Sequence, residues 1–189
     1  MKTTNIMIVG VGGQGSLLAS KLLGRILVDE GFDVKVSEVH GMSQRGGSVV
    51  TYVRYGDKVY SPIVDRGEAD YIISFEALEA ARYAEYLKPD GKIIVSTQKI
   101  DPMPVITGAQ VYPDDVLEKL RACGIEVDEV DALKLAVEAG SAKAANIVLM
   151  GRLSRYMTIE EEKWTKAIGE TVAPKFVDMN LVAFKSGRS

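Results

Sequence analysis

Asn5-Ile6-Met7-Ile8-Val9-Gly10-Val11-Gly12-Gly13-Gln14-Gly15 is the stretch that decides the fold. Ile6 to Val9 is a short β-branched run that ends at a glycine, the pattern of a strand buried in a parallel sheet. Gly10 to Gly15 then matches G-x-G-x-x-G. Between a strand and a helix, such glycines permit a tight turn and let a phosphate approach backbone N–H groups at the helix start. From Gln14 to Glu30 the residues Leu18, Leu22 and Ile26 recur every four positions. Lys21, Arg25 and Asp29 mark the opposite face, and Gly31 supplies a stop. Asp33 to Val39 reads as a second strand. Strand, glycine turn, helix, strand is how an α/β fold begins.

Further along, the alternation is interrupted and then resumes. Gly41 to Gly47 reads as a loop and Ser48 to Tyr55 as a strand. Gly56-Asp57 then separates that strand from Lys58-Val59-Tyr60, which predicts an antiparallel hairpin insertion. Tyr71 to Phe75 is a strand, Glu76 to Leu87 a helix, and Pro89-Asp90-Gly91 a turn before the strand Lys92 to Thr97. A helix from Pro113 to Ala122 and a strand from Ile125 to Val130 follow. From Ala132 onward the chain is helical, with three segments. Ser141 to Tyr156 is apolar almost all round, as in a helix buried on several sides. Thr158 with Glu161 predicts a capping box, and Pro174 fits the first turn of a last helix bearing Val177, Leu181 and Phe184. The expectation is one domain over 1–189. Its fold is a three-layer, Rossmann-like α/β arrangement with a mainly parallel sheet, an antiparallel hairpin insertion and a helical C-terminal region.

Composition narrows the function classes. The 189 residues are 47% hydrophobic and carry a net charge of −3. That balance disfavours nucleic acid or an anionic membrane as the main partner, but not a local basic pocket. One cysteine, Cys123, and one histidine, His40, leave no disulfide, no cysteine-bound metal or iron–sulfur site and no histidine cluster within this chain. No signal peptide or spanning segment is visible, so a cytoplasmic protein is expected.

The glycine loop alone admits several functions. An NAD(P)-dependent dehydrogenase is one, with Glu38 as the acidic residue about 20 positions on. Against it, Glu38 runs into a glycine-rich loop rather than a second helix, and no catalytic acid–base domain is evident. A phosphate of another ligand, a ligand-free turn, and a non-enzymatic nucleotide-binding module also fit. The second loop, His40-Gly41-Met42-Ser43-Gln44-Arg45-Gly46-Gly47-Ser48, is the most unusual stretch. It can present Arg45 to a carboxylate or phosphate, or hold it in a salt bridge within the loop or across a subunit contact.

GVGGQG opening a first helix, EVHGMSQRGGSV after the second strand, and KAANIVLMGRL on a late helix occur in this order. Together they resemble the pyruvate/ketoisovalerate ferredoxin oxidoreductase gamma family, over nearly the whole chain from Asn5 to about Gly187. The HGMSQRGG form is similar to the indolepyruvate branch. The resemblance implies a smaller subunit of a complex that oxidatively decarboxylates a 2-oxoacid with coenzyme A and reduces ferredoxin. Thiamine diphosphate and iron–sulfur clusters are then expected on a larger alpha subunit, and no catalytic or metal-binding residue on this one. Gly10, Gly12, Gly13, Gln14 and Gly15 become candidates for coenzyme A phosphates. Ser43, Gln44, Arg45 and Gly46 become candidates for the subunit interface or the mouth of a shared active site. A homodimer is plausible for the isolated chain.

Five further residues carry structural expectations. Cys123 reads as a small packed side chain, and His40 as a hydrogen-bonding loop residue. Asn146, among apolar helix residues, is expected to fasten its helix to a loop. Trp164 and Tyr156 are expected in core packing.

Overall fold

In the computed structural model, which describes residues 3–38 and 46–189, Ile6 to Val9 lie at the centre of β1 (Thr4–Val11) and are fully buried. Burial on both faces follows from what covers the sheet. Ile6 and Ile8 point into a core formed with α1 (Ser16–Asp29) and the C-terminal helices, while Met7 and Val9 point into a second core on the opposite face. Ile73 and Ile94 join the first core, and Ile72, Ile93 and Val95 the second. Strand periodicity thus divides neighbouring residues between two layers of helix.

The six strands lie in the order β2-β3-β1-β4-β5-β6. They are β2 (Asp33–Glu38), β3 (Ser48–Gly56), β4 (Ala69–Ser74), β5 (Leu87–Ser96) and β6 (Glu126–Val130), with β1 inside. The pairs β1–β4, β4–β5 and β5–β6 are parallel. Strand β3 is antiparallel to both neighbours, pairing Thr4↔Tyr55 through Val11↔Ser48 on one side and Asp33↔Gly56 through Glu38↔Thr51 on the other. The antiparallel insertion is therefore real, but its hairpin partner is β2 and not Lys58–Tyr60. With both edges of β3 taken, Lys58–Tyr60 has no ladder to join. Its Val59 is instead pinned by an N–H donated to Asp33 Oδ2 at 2.9 Å.

Other boundaries shift for identifiable reasons. Helix α2 (Ala77–Tyr83) gives way to a 3-10 turn at Ala84–Tyr86, and Leu87 already belongs to β5. Pro89-Asp90-Gly91 is absorbed as a bulge where the register slips between Ala69↔Leu87 and Tyr71↔Lys92. A four-residue helix, α3 (Met103–Ile106), occupies the Pro102–Pro104 connection. Helix α4 (Val116–Ala122) ends one residue before Cys123, which sits at the cap and is exposed, not packed. The helical region holds four helices rather than three segments: α5 (Ala132–Ala139), α6 (Ala145–Ser154), α7 (Glu161–Thr171) and α8 (Val177–Arg188). The Thr158 capping box does not form. Ile159 is drawn into the core, Glu160 stays extended, and it becomes the cap residue without a side-chain bond. Pro174 does open a 3-10 turn that leads into α8.

Two contacts fix α6. Arg152 grips Asp128 of β6 through Nε and Nη2 at 2.9 and 2.7 Å, and the Tyr156 hydroxyl donates to the same carboxylate at 2.6 Å. Burial works against the ionised form of Asp128. The Arg152 and Tyr156 bonds outweigh it, so its pKa lies below the usual carboxylate value. Burial and the bond to Asp128 push the Tyr156 pKa up to about 12. On its other side α6 crosses α8 at backbone contact. A Cβ added to Gly151 would stand 2.1 Å from Phe184 O, and one added to Gly187 would stand 2.0 Å from Val148 O. Trp164 lies under this crossing, fully buried and stacked on Phe184 at 5.8 Å, as core packing predicts. Tyr156 is only half-buried, with Lys92 Nζ 4.0 Å above its ring.

Candidate functional site at the carboxyl ends of the central strands

The connections leaving β1 and β4 run to opposite faces of the sheet, to α1 and α2, which opens a crevice at the carboxyl ends of these neighbouring strands. The glycine loop stands over it. Gln14 folds back so that its Oε1 accepts the Val11 N–H at 2.7 Å. Its Nε2 donates to Phe75 O at 3.0 Å and to Gln98 Oε1 at 3.1 Å. One side chain thereby ties the ends of β1, β4 and β5 together. Gly10 makes room for it, since a Cβ there would lie 2.9 Å from both Gln14 Oε1 and Phe75 Cβ.

Of the five glycine-loop candidates, Gly10 and Gln14 are therefore occupied in shaping the turn. Gly12 donates its N–H to Gly47 O at 2.8 Å. Gly13 and Gly15 have φ of 103° and 91°, and Gly13 is exposed at the apex with open space where a Cβ would be. Among the described residues, the N–H groups of Gly13, Gly15, Ser16 and Leu17 have no acceptor. These are donors of the sort that a phosphate at a helix start takes up.

The three ordered sequence motifs meet here. Gly47, from the end of the second loop, touches Gly12 as described. Asn146, from KAANIVLMGRL, donates its Nδ2 to Gly15 O at 3.2 Å and accepts the Ile147 N–H at 2.8 Å. Asn146 is buried and does fasten its helix to a loop, which is the glycine turn itself. His40, Ser43, Gln44 and Arg45 lie outside the described residues. Gly46 is placed, with φ 98° and nothing near an added Cβ.

Two clefts of about 240 Å³ flank Gly13. The first is bounded by Gly12, Gly15, Ser16, Leu17, Val49 and Thr51. The second lies over the strand ends, between Gln14, Ser96, Gln98 and Lys143. Sequence reading missed a buried carboxylate just beyond the end of β4. Glu76 is 1% exposed and caps α2, with Oε2 accepting the Glu79 N–H at 2.8 Å. Its Oε1 accepts from Tyr112 Oη and, at 3.2 Å, from the Ile100 N–H. Burial and this bond raise the Tyr112 pKa above its ordinary value. The signal was present as Glu76 and Glu79 at the start of a helical pattern after β4. Beside it, burial raises the Glu79 pKa, against the opposing effects of the Ser48 hydroxyl and Arg82.

The dinucleotide arrangement is not reproduced. In that arrangement the acidic residue ends a strand next to β1, whereas here β3 separates β2 from β1. Glu38 is also already bonded, accepting from Ser20 Oγ at 2.6 Å. Among the described residues no group of His, Cys, Asp and Glu could hold a metal ion. None of their helices is long and apolar enough to cross a membrane.

Comparison with known proteins agrees with this geometry. The family model described as "Pyruvate ferredoxin/flavodoxin oxidoreductase" matches residues 5–189. The chain is 45% identical to a Thermococcus kodakarensis protein named "Indolepyruvate oxidoreductase subunit IorB", over 99% of this chain and 95% of that one. Its fold is that of the keto/oxoacid ferredoxin oxidoreductase gamma subunit from Geobacter sulfurreducens, with TM-score 0.72, 22% identity, and 97% and 95% of the two chains covered. It also superposes with TM-score 0.75 and 20% identity on 31% of a 2-oxoglutarate:ferredoxin oxidoreductase chain from Magnetococcus marinus, all of this chain being covered. That structure is described as holding 2-oxoglutarate, coenzyme A and succinyl-CoA. With three motifs joined at one strand edge and a match along almost its whole length, this chain belongs to the pyruvate ferredoxin/flavodoxin oxidoreductase family.

Proposed function

We propose that the chain is the small subunit of an indolepyruvate oxidoreductase. The complex decarboxylates an aryl 2-oxoacid, transfers the acyl group to coenzyme A and passes two electrons to ferredoxin. The observation that carries this reading is the meeting of Gly47, Gly12, Gly15 and Asn146, which joins the family's three motifs in one site. Relatives at 43–45% identity share the indolepyruvate name.

The redox groups do not fit this chain. One cysteine, exposed at Cys123, cannot ligate an iron–sulfur cluster by itself. We assign the clusters, and with them thiamine diphosphate, to the larger subunit, where thiamine diphosphate would supply the electron sink for decarboxylation. This chain's residues bind and position. The open N–H groups of Gly13, Gly15 and Ser16 fit a coenzyme A phosphate, and Gln14 and Asn146 hold them in place. Ser43, Gln44, Arg45 and Gly46 would face the larger subunit or the mouth of its active site. The exposed apolar side chains Met103, Ile106 and Val111 offer surface for that subunit, or for a second copy when the chain is alone.

The test is co-purification of the chain with its neighbours from native cells. The reading expects a brown complex containing iron and thiamine diphosphate, with indolepyruvate-dependent dye reduction that requires coenzyme A. A colourless protein purifying alone and binding NAD would sink it.

A further inference from the structure

Strand β2 closes one side of the sheet, and among the described residues no strand pairs with its outer edge. A free edge offers backbone donors and acceptors to another chain, and proteins usually blunt it with proline, a bulge or free lysines. Strand β2 has none of these. Its register with β3 runs unbroken from Asp33↔Gly56 to Glu38↔Thr51, and its sequence holds no proline. Its one lysine, Lys35, is held by Asp33 of the same strand. Side chains alternate along the edge. Phe32, Val34 and Val36 share the face on which α1 packs, yet none is fully buried, and Val36 is 42% exposed. Asp33 and Lys35 share the opposite face.

We propose that this edge binds a second copy of the chain, β2 against β2, antiparallel and centred on Val34, so that two six-stranded sheets run on as one. In an antiparallel pair of identical strands the two-fold axis keeps every side chain on its own face, so one residue must oppose itself. Centring on Val34 sets Val34 against Val34 and Phe32 against Val36 of the second copy, which covers the open apolar side chains. On the other face the same register sets Asp33 against Lys35 and Lys35 against Asp33, two opposite-charge pairs. Neighbouring registers lack this match. Centring on Lys35 or on Asp33 puts like charges face to face, and centring on Val36 puts Val34 against Glu38. The edge is thus complementary to itself in charge and in apolar surface at one register. Five opposed positions make a narrow contact, so the affinity is of about micromolar order. The Met103 surface stays free for the larger subunit, and the contact does not depend on which reaction the complex performs.

The test is sedimentation equilibrium of the full-length chain over a range of concentrations. A monomer–dimer equilibrium is expected, weakened by salt. Lys35→Glu makes the edge all acidic and Asp33→Lys makes it all basic, so each alone should weaken the dimer about tenfold or more. Mixing the two variants should restore it as a mixed dimer, read by native mass spectrometry. Lys35 is 40% exposed, so Lys35→Glu keeps the fold; Asp33→Lys also gives up the Val59 N–H, and circular dichroism checks that it stays folded. A second measurement uses Val34→Cys in a chain whose Cys123 is replaced by serine. Val34 opposes itself with Cα atoms about 4.5–5.5 Å apart, so mild oxidation should link two chains through it. Val137→Cys, exposed on α5, should not link. A chain that stays monomeric at every concentration overturns the proposal. A dimer indifferent to both charge variants, or one that Val34→Cys does not link, places the contact on another face and also overturns it. Linkage of Val34→Cys to the larger subunit in the assembled complex, with no link between small subunits, gives the edge to that subunit and overturns the second copy as its occupant.

Discussion

Replacing Gly151 with alanine tests the α6–α8 crossing directly. The new Cβ would stand 2.1 Å from Phe184 O, where a carbon–oxygen contact normally needs about 3.3 Å, so the helices must part by roughly 1.2 Å. Both obstructing atoms nearest it, Phe184 O and Arg188 N, are backbone, so no side-chain rotation relieves the clash. Overpacking of this kind costs about 1–3 kcal/mol, and the upper part of that range applies where backbone must move. Alanine's better helix propensity returns about 1 kcal/mol. A net loss of about 2 kcal/mol lowers Tm by roughly 4–8 °C in a chain of this length. Thermal melting followed by circular dichroism reads it. Gly169→Ala is the control, because α7 is helical there and an added Cβ meets nothing within 4 Å. It should raise Tm, by the propensity gain of up to about 1 kcal/mol. If Gly151→Ala melts at or above the parent temperature, the backbone contact between α6 and α8 is not what the structure shows.

Three more outcomes are expected. Asn146→Ala removes a buried bond to Gly15 O and should cost about 1–2 kcal/mol in a urea titration, with faster hydrogen exchange confined to the glycine turn and the start of α6; unchanged exchange there would refute the tether. Gly13→Ala forces a side chain into φ 103° and should cost about 1–2 kcal/mol; in the assembled complex it should raise KM for coenzyme A more than it lowers kcat. Asp128, with its pKa held below the ordinary 3.8, contributes stability that is fully present above that value and is lost as pH falls through the folded-state pKa. Asp128→Asn should therefore be less stable at pH 7 but lose less on acidification, and parallel stability curves for the two proteins from pH 6 to 3 would count against the assignment.

Local pattern made much of the fold legible. The glycine turn, the amphipathic face of α1 and the apolar run of α6 are properties of neighbouring residues, and they stand where periodicity puts them. The position of β3 was not legible. Its pairing with β1 joins Thr4 to Tyr55, and nothing in the sequence near either strand records that choice. The hairpin expected with Lys58–Tyr60 failed for this reason, since a turn signal at Gly56-Asp57 says where the chain bends but not which edge is free. Ile159 overrode the Thr158 cap because burying a large apolar side chain outweighs one capping bond. At the site, the glycines and Asn146 could be singled out by type and spacing. Gln14 drew notice only as a phosphate contact, while its three bonds show it linking strand ends. Glu76 and Lys143 went unremarked, because their meaning depends on Tyr112, Ser96 and Gln98, brought close only by the sheet.

The placement of β3 also governs the order in which the chain can assemble. In an ordinary βαβ unit the second strand docks on the first as soon as the intervening helix forms. Here β2 has no partner until residues 48–56 have been made, because β3 is what it pairs with. During synthesis the amino-terminal fifth of the protein therefore leaves the ribosome with β1 and α1 formed at most and the apolar surface of β1 uncovered. Both ladders can begin once the first residues of β3 are made, at Val11↔Ser48 and Glu38↔Thr51, and the β2 ladder is complete when the ninth residue of β3, Gly56, arrives. The first sheet this order of synthesis allows is thus β2-β3-β1, built outward on both sides of its last-made strand.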